Sequence, residues 1–289
     1  MKTLTQDFVK ENLPKRPIDA NKGTMGTLLN ISGSYSMAGA CVLSSLSALK
    51  SGVGLLKVAL PQSIYPIVAS SVFEAVYLPV KDSDSGTVDI TSLDFLLDNS
   101  KSCSAVVIGC GLKMCDETTH FVREFVMANI KPILIDADGI NALSRNINIL
   151  KSVNSDVVLT PHPKEMSRLT SLSVEYIQEN RVEVAEKFAK EYGVTVVLKG
   201  KDTVVTNGEN TFINPTGNVG MAKGGSGDVL SGIIGSLIAQ GVGVFEASCC
   251  GVFIHGMSGD LAAKELSKTS MLPSDIVSFL PQVFKELEK

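Results

Sequence analysis

The stretch NPTGNVGMAKGGSGDVLSGIIGSLIAQG, Asn214–Gly241, opens as a short strand, crosses a loop with five glycines and enters an apolar helix at Asp228. Strand, glycine turn and helix in that order form the joint of an alternating β/α chain. Successive glycines let backbone N–H groups converge on one point, and a helix N-terminus adds partial positive charge there. Gly224, Gly225, Ser226 and Gly227 therefore make a candidate anion hole for a phosphate, with Lys223 as an added point charge. Asp228 has two readings. It is a helix cap, or it is a carboxylate poised to take a proton from a hydroxyl attacking a phosphoryl group. Neither GxxxxGK[ST] nor GxGxxG occurs in the chain, so these glycines form neither a P-loop nor a dinucleotide fingerprint.

Outward from this joint the same alternation repeats. Apolar runs predict strands at Thr27–Ile31, Gly54–Leu60, Ala75–Val80, Ala105–Ile108, Pro132–Ile135, Val157–Leu159 and Val194–Leu198. Helices are expected from about Met37 to Lys50, from Val174 to Tyr192, and almost continuously after Asp228. Thr203–Thr206 and Thr211–Asn214, joined through Asn207-Gly208, read as a hairpin at the sheet edge. The class is α/β, with a mostly parallel central sheet. No linker or repeat divides residues 1–289, which read as one domain with a polar N-terminal arm up to residue 22.

Composition agrees. Hydrophobic residues make up 44%, charged residues 19% and aromatics 6%, and tryptophan is absent, so the core must be built of Val, Ile, Leu and Ala. A formal charge of −4 excludes a broadly basic nucleic-acid footprint and requires that any polyanion be held by a local site. The longest apolar run, Val229–Phe245, is interrupted by Ser231, Ser236, Gln240 and four glycines and does not suit a membrane span. The N-terminus shows no signal-peptide pattern, and six cysteines without a CxxC pair read as reduced, buried thiols of a cytoplasmic protein.

Four segments carry a family resemblance, in order: NKGTMGTLLNISGSYSMAGACVLSSLSALKSGVGLLKVALP (Asn21–Pro61), LTPHPKEMSRL (Leu159–Leu169), VVLKGKDTVV (Val196–Val205) and GMAKGGSGDVLSGIIGSLIAQG (Gly220–Gly241). Together they resemble the ADP/ATP-dependent NAD(P)H-hydrate dehydratases of the ribokinase-like superfamily. The resemblance implies a three-layer α/β/α sandwich that restores hydrated NADH and NADPH (NADHX, NADPHX; S epimer) to NAD(P)H. ADP, or ATP, would be the co-substrate with Mg2+, and a homotetramer the assembly. It places Ala40, Gly111, His162 and Asp228 around the hydrated nicotinamide, with Asp228 as the catalytic base. Lys199, Gly200, Lys201, Asp202, Thr203 and Gly227 would hold the nucleotide, and Gly224–Gly227 the anion.

For Mg2+ the candidates are Glu165, in a His-x-x-Glu spacing after His162, and Asp136, in LIDADGINAL. Asp136 and Asp138 would lie on one side of an extended segment as magnesium ligands, or they are turn residues. His120 and His255 read as structural. The chain departs from the family pattern at Asn21 (for His), Cys110 (for Pro), Lys164 (for Gly), Lys223 (for Thr) and Ser226 (for Thr). The rival reading is a ribokinase-like kinase for a hydroxymethylpyrimidine or hydroxyethylthiazole alcohol, which would use the same anion hole and aspartate. The Asn21, Leu159 and Val196 segments favour the dehydratase. A non-enzymatic nucleotide-binding subunit would have no need of Asp228.

Overall fold

A computed structural model describes residues 2–289. Its strands are β1 (Lys2–Thr3), β2 (Thr27–Ile31), β3 (Leu55–Pro61), β4 (Val76–Val80), β5 (Ala105–Ile108), β6 (Ile133–Ile135), β7 (Val157–Leu159), β8 (Thr195–Leu198), β9 (Val204–Thr206) and β10 (Thr211–Ile213). The helices are α1 (Gln6–Asn12), α2 (Ala38–Lys50), α3 (Tyr65–Ala69), α4 (Leu93–Lys101), α5 (Asp116–Ala128), α6 (Ala137–Ser144), α7 (Pro163–Thr170), α8 (Val174–Glu179), α9 (Arg181–Tyr192), α10 (Ser226–Ala239), α11 (Val244–Leu266) and α12 (Pro273–Leu287). The strands form one sheet in the order β1-β10-β9-β8-β7-β6-β5-β2-β3-β4. All pairings are parallel except β8 with β9 and β9 with β10.

Alternation along each strand sorts the core into two apolar layers. Leu28, Val107, Leu134, Val158 and Val197 join α2, α10, α11 and α12 on one face. Leu29, Val106, Ile108, Ile133, Ile135, Leu159 and Val196 pack with α5, α6 and α9 on the other. This is the expected three-layer sandwich. Among the described residues no helix is long and apolar enough to cross a membrane.

Local chemistry moves four expected boundaries. The hairpin is present, but β10 is not the edge: Lys2 and Thr3 pair beside it in parallel, because the N-terminal arm supplies β1 and α1. The helix expected over Val174–Tyr192 breaks at Asn180 (φ −125°, ψ 36°), whose amide N–H and side-chain Nδ2 both donate to the Tyr176 carbonyl, closing α8 before α9 begins. The helix after the glycine loop, α10, starts at Ser226 rather than Asp228, since Gly225 at φ 102° makes the turn that no other residue makes without strain. The segment after β6 is not extended, because α6 begins directly at Ala137: Asp136 stands at the N-cap position, its carbonyl accepting from the Gly139 and Ile140 N–H groups, and Asp138 lies in the first turn.

Candidate active site

Parallel strands end together, and the loops that follow them line one rim of the sheet. After β2 the chain turns through Gly33 into α2, after β5 through Gly109–Gly111, and after β6 into Asp136. After β7 it reaches Pro161-His162, and after β8 Lys199-Gly200. The N-terminus of α10 enters this rim from the neighbouring layer. Gly109 (φ 127°) is needed where it stands, because a Cβ there would lie 1.9 Å from the Asp136 carbonyl oxygen.

At the centre is a charged trio. Asp136 is buried, its Oδ1 accepts from Lys199 Nζ at 2.7 Å, and its Oδ2 accepts from Ser231 Oγ at 2.8 Å. Burial works against the Asp136 charge, yet Lys199 and these donors outweigh it and hold the carboxyl below its ordinary value. Burial likewise opposes the Lys199 charge, and Asp136 with Glu165 overcomes it, so the ammonium titrates above its usual value. Glu165 Oε2 lies 3.8 Å from the same ammonium. A Cβ on Gly227 would come within 3.4 Å of Lys199 Nζ and 3.5 Å of Asp136 Oδ2, so the pair sits directly against the first turn of α10.

Asp228 faces this pair. Burial, then the like charge of Asp136, raises its carboxyl to about 6, into the range where a carboxylate can accept a proton near neutrality. The N–H groups of Gly224 and Gly225 meet no acceptor among the described residues. A Cβ on Gly224 would meet nothing within 4 Å, so the loop opens onto free space. The site thus offers outward amides, a helix N-terminus and an adjacent ammonium to an anion, with a basic carboxylate beside them.

The other expected residues divide. Ala40 and Gly111 come together: a Cβ on Gly111 (φ 64°) would lie 2.6 Å from that of Ala40, so the two are in direct contact at the start of α2. His162 is half-buried and caps α7 in a reciprocal box, Nδ1 accepting from the Glu165 N–H at 3.1 Å while Glu165 Oε2 accepts from the His162 N–H at 2.7 Å. Burial, aided by Lys199, lowers the His162 imidazole, so it is neutral with its proton on Nε2. Burial pushes Glu165 up to about 7. Its carboxylate is engaged by the cap. Lys201 and Asp202 are exposed in the β8–β9 turn, and Thr203 Oγ1 donates to the Gly200 carbonyl at 2.9 Å. Asp138 accepts from the Lys113 N–H at 2.8 Å and Asn141 Nδ2 at 3.4 Å. Lys223 is no free point charge, because its ammonium donates to the carbonyls of Thr269 at 2.7 Å and Met271 at 2.6 Å.

Three participants lay outside the sequence reading of the site. Ser231 stands three residues after Asp228 on the same helical face, a spacing visible in the sequence. Arg181 donates to the Leu198 carbonyl at 2.8 Å and its guanidinium covers Gly200, fixing the end of β8. Cys110, read only as a departure from a motif, brings Sγ within 4.8 Å of a carboxylate oxygen of both Asp136 and Asp228. Burial and those two carboxylates raise its thiol well above the ordinary value, so it stays protonated and is not a thiolate ligand. Two close carboxylate oxygens suit a hard divalent cation, which takes one or two carboxylates and completes its shell with phosphate and water oxygens.

Known proteins resemble this chain over nearly its whole length. Residues 28–282 match the NAD(P)H-hydrate dehydratase family. The bifunctional NAD(P)H-hydrate repair enzyme Nnr of Moorella thermoacetica is 37% identical over 99% of this chain and 54% of its own length. The chain spans about half the length of the bifunctional relatives it matches, 54–55% for those from Moorella, Thermofilum pendens and Dictyoglomus turgidum. The ADP-dependent (S)-NAD(P)H-hydrate dehydratase of Bacillus subtilis is 31% identical over 98% of both chains. A crystal structure of the Bacillus subtilis ADP/ATP-dependent enzyme, co-crystallised with ATP and Mg2+, superposes with a TM-score of 0.85 at 29% identity, covering 99% of this chain and 98% of that one. Motif order, fold and match all agree, and the chain belongs to the NAD(P)H-hydrate dehydratase family.

Proposed function

We propose that this protein dehydrates the S epimer of hydrated NADH or NADPH, with ADP as the phosphoryl donor. The observation that carries the reading is Asp228, a half-buried and basic carboxylate beside the outward amides of the α10 N-terminus, with Lys199 alongside. Hydroxide is a poor leaving group and phosphate a good one. The terminal phosphoryl of ADP passes to the substrate hydroxyl oxygen, and Asp228 takes the hydroxyl proton as the new P–O bond forms and the bond to AMP breaks. The phosphate then leaves with the C–O electron pair and a ring proton departs, restoring the double bond. ADP and the hydrate become AMP, phosphate and NAD(P)H.

Each group has a place in this scheme. The N–H groups of Gly224, Gly225 and Gly227 face the charge that develops on the phosphoryl oxygens, and Lys199 neutralises it. Ala40 and Gly111, with His162, border the hydrated ring, and the segment Lys199–Thr203 borders the nucleotide. Asp136 is the residue that would hold Mg2+, which supplies charge neutralisation on the phosphates when bound. Glu165 serves instead by orienting His162. Cytoplasmic residence and a homotetrameric assembly belong to the same proposal, with fractionation and light scattering as their measurements.

The test is recovery of reduced-nicotinamide absorbance from hydrated NADH and NADPH with Mg2+ and either ADP or ATP. Recovery with ADP at higher kcat/KM than with ATP is expected. No recovery with either nucleotide, together with phosphorylation of a hydroxymethylpyrimidine or hydroxyethylthiazole, assigns the site to the kinase reading.

A further inference from the structure

Lys223 immediately precedes the glycines of the anion site, yet its charge points away from them. Its Nζ donates to two backbone carbonyls of the segment joining α11 to α12, Thr269 O at 2.7 Å and Met271 O at 2.6 Å. Neither carbonyl accepts another hydrogen bond among the described residues, so the lysine is the one protein donor each receives there. The two segments are also in close contact elsewhere. A Cβ on Gly220 would lie 2.6 Å from the Lys268 carbonyl oxygen and 2.6 Å from Met271 Sδ, and one on Gly225 would lie 3.3 Å from Pro273. The facing segment is itself braced: Ser267 holds φ 78°, and its Oγ accepts from the Ser270 N–H at 3.2 Å.

We propose that Lys223 is a positioning residue, a clasp that ties the glycine loop before α10 to the segment between α11 and α12 and holds the anion-binding amides in place before nucleotide arrives. Glycines give the loop the conformations it needs, and the same freedom would scatter its amides in the free protein. A charged donor with two carbonyl acceptors makes strong, directional bonds. It anchors the loop at the residue adjoining Gly224 and leaves the N–H groups of Gly224 and Gly225 facing outward. A threonine at this position, as in the family pattern, is too short to reach either carbonyl. The nucleotide arm of this inference rests on the proposed phosphate site; the clasp itself does not.

Hydrogen exchange on the full-length, ligand-free protein and calorimetric titration with ADP and Mg2+ test it together. In Lys223→Met, amides of residues 217–227 and 267–272 are expected to exchange about tenfold faster while β5 and β6 stay protected, and the ADP Kd is expected to rise about tenfold, the loss of one charge-assisted contact pair. Lys223→Arg, which keeps a cation with several donors, should recover most of both effects. Lys223→Gln, a milder change, should fall between and serves if the methionine variant does not fold. Unchanged exchange in the loops overturns the clasp. Weaker ADP binding with unchanged exchange also overturns it, in favour of a direct lysine–phosphate contact. Faster exchange with unchanged ADP binding removes the positioning role. If the wild-type protein binds neither ADP nor ATP, the phosphate-site reading fails, and the exchange comparison alone decides the clasp.

Discussion

Asp228 is held where its charge is unfavourable, and the consequences for activity and stability have opposite signs. Its folded carboxyl titrates near 6, against an ordinary 3.8. A carboxylate raised on folding binds its proton more tightly in the native state, so its ionisation destabilises the fold, fully above pH 6 and not at all below 3.8. Asp228→Asn should therefore stabilise the ligand-free protein at pH 8 by on the order of 3 kcal/mol, with the gain nearly gone by pH 4, as read from urea unfolding at both pH values. The same substitution should lower kcat by about 10²- to 10⁴-fold, the range for a general base, while the ADP Kd changes little. Equal activity in the variant would reduce Asp228 to a first-turn carboxylate that complements the α10 dipole. In the wild type, kcat/KM should fall as pH drops below about 6, because only the ionised base accepts the hydroxyl proton.

At the scale of elements, the close approach of α2 to α10 aligns the two halves of the site. Gly232 makes it possible: a Cβ there would lie 2.1 Å from both the Ser44 carbonyl oxygen and Ser47 Oγ. One of those atoms is backbone and cannot swing aside. Gly232→Ala should cost about 1–3 kcal/mol in thermal or urea unfolding, the range for overpacking. It should also lower kcat/KM, since α2 carries Ala40 and α10 carries Asp228 at their first turns. Gly39 is the control. A Cβ there meets nothing within 4 Å, and its φ is not positive, so Gly39→Ala should be neutral or stabilising by up to about 1 kcal/mol. A comparable loss in both variants would show that close packing at Gly232 is not the cause. This contrast was hidden in the sequence, where both residues are helical glycines in small-residue segments. The break at Asn180 was hidden for a related reason: apolar periodicity continues across it, and only the Asn180 bonds to the Tyr176 carbonyl reveal the turn.

For the whole molecule, strands and their order of use could be read because buried parallel strands are unbroken runs of Val, Ile and Leu, with glycines or polar residues where they end. The family resemblance, not spacing, is what put Ala40 and Gly111 beside Asp228 as an expectation, and the strand ends and helix starts that carry the three lie on one rim. The sequence could not show which charges meet across that rim. Lys199, Asp136 and Ser231 come from β8, the turn after β6 and α10, and only the sheet order brings them together. It could not show that β1, two residues long, extends the far edge either. Because the site draws on the strand ends and on a helix of the neighbouring layer, a bound nucleotide should stabilise the molecule as a single unit rather than one lobe. At a hundredfold excess over its Kd, ADP with Mg2+ should contribute about 2.7 kcal/mol. For a chain of this size that is a rise in Tm of about 5 °C. Calorimetry should show one transition displaced as a whole, with the same displacement in Asp228→Asn and a smaller one in Lys223→Met at equal ADP. A split transition, or one that ADP leaves in place, would mean that the strand ends and α10 do not form one binding site.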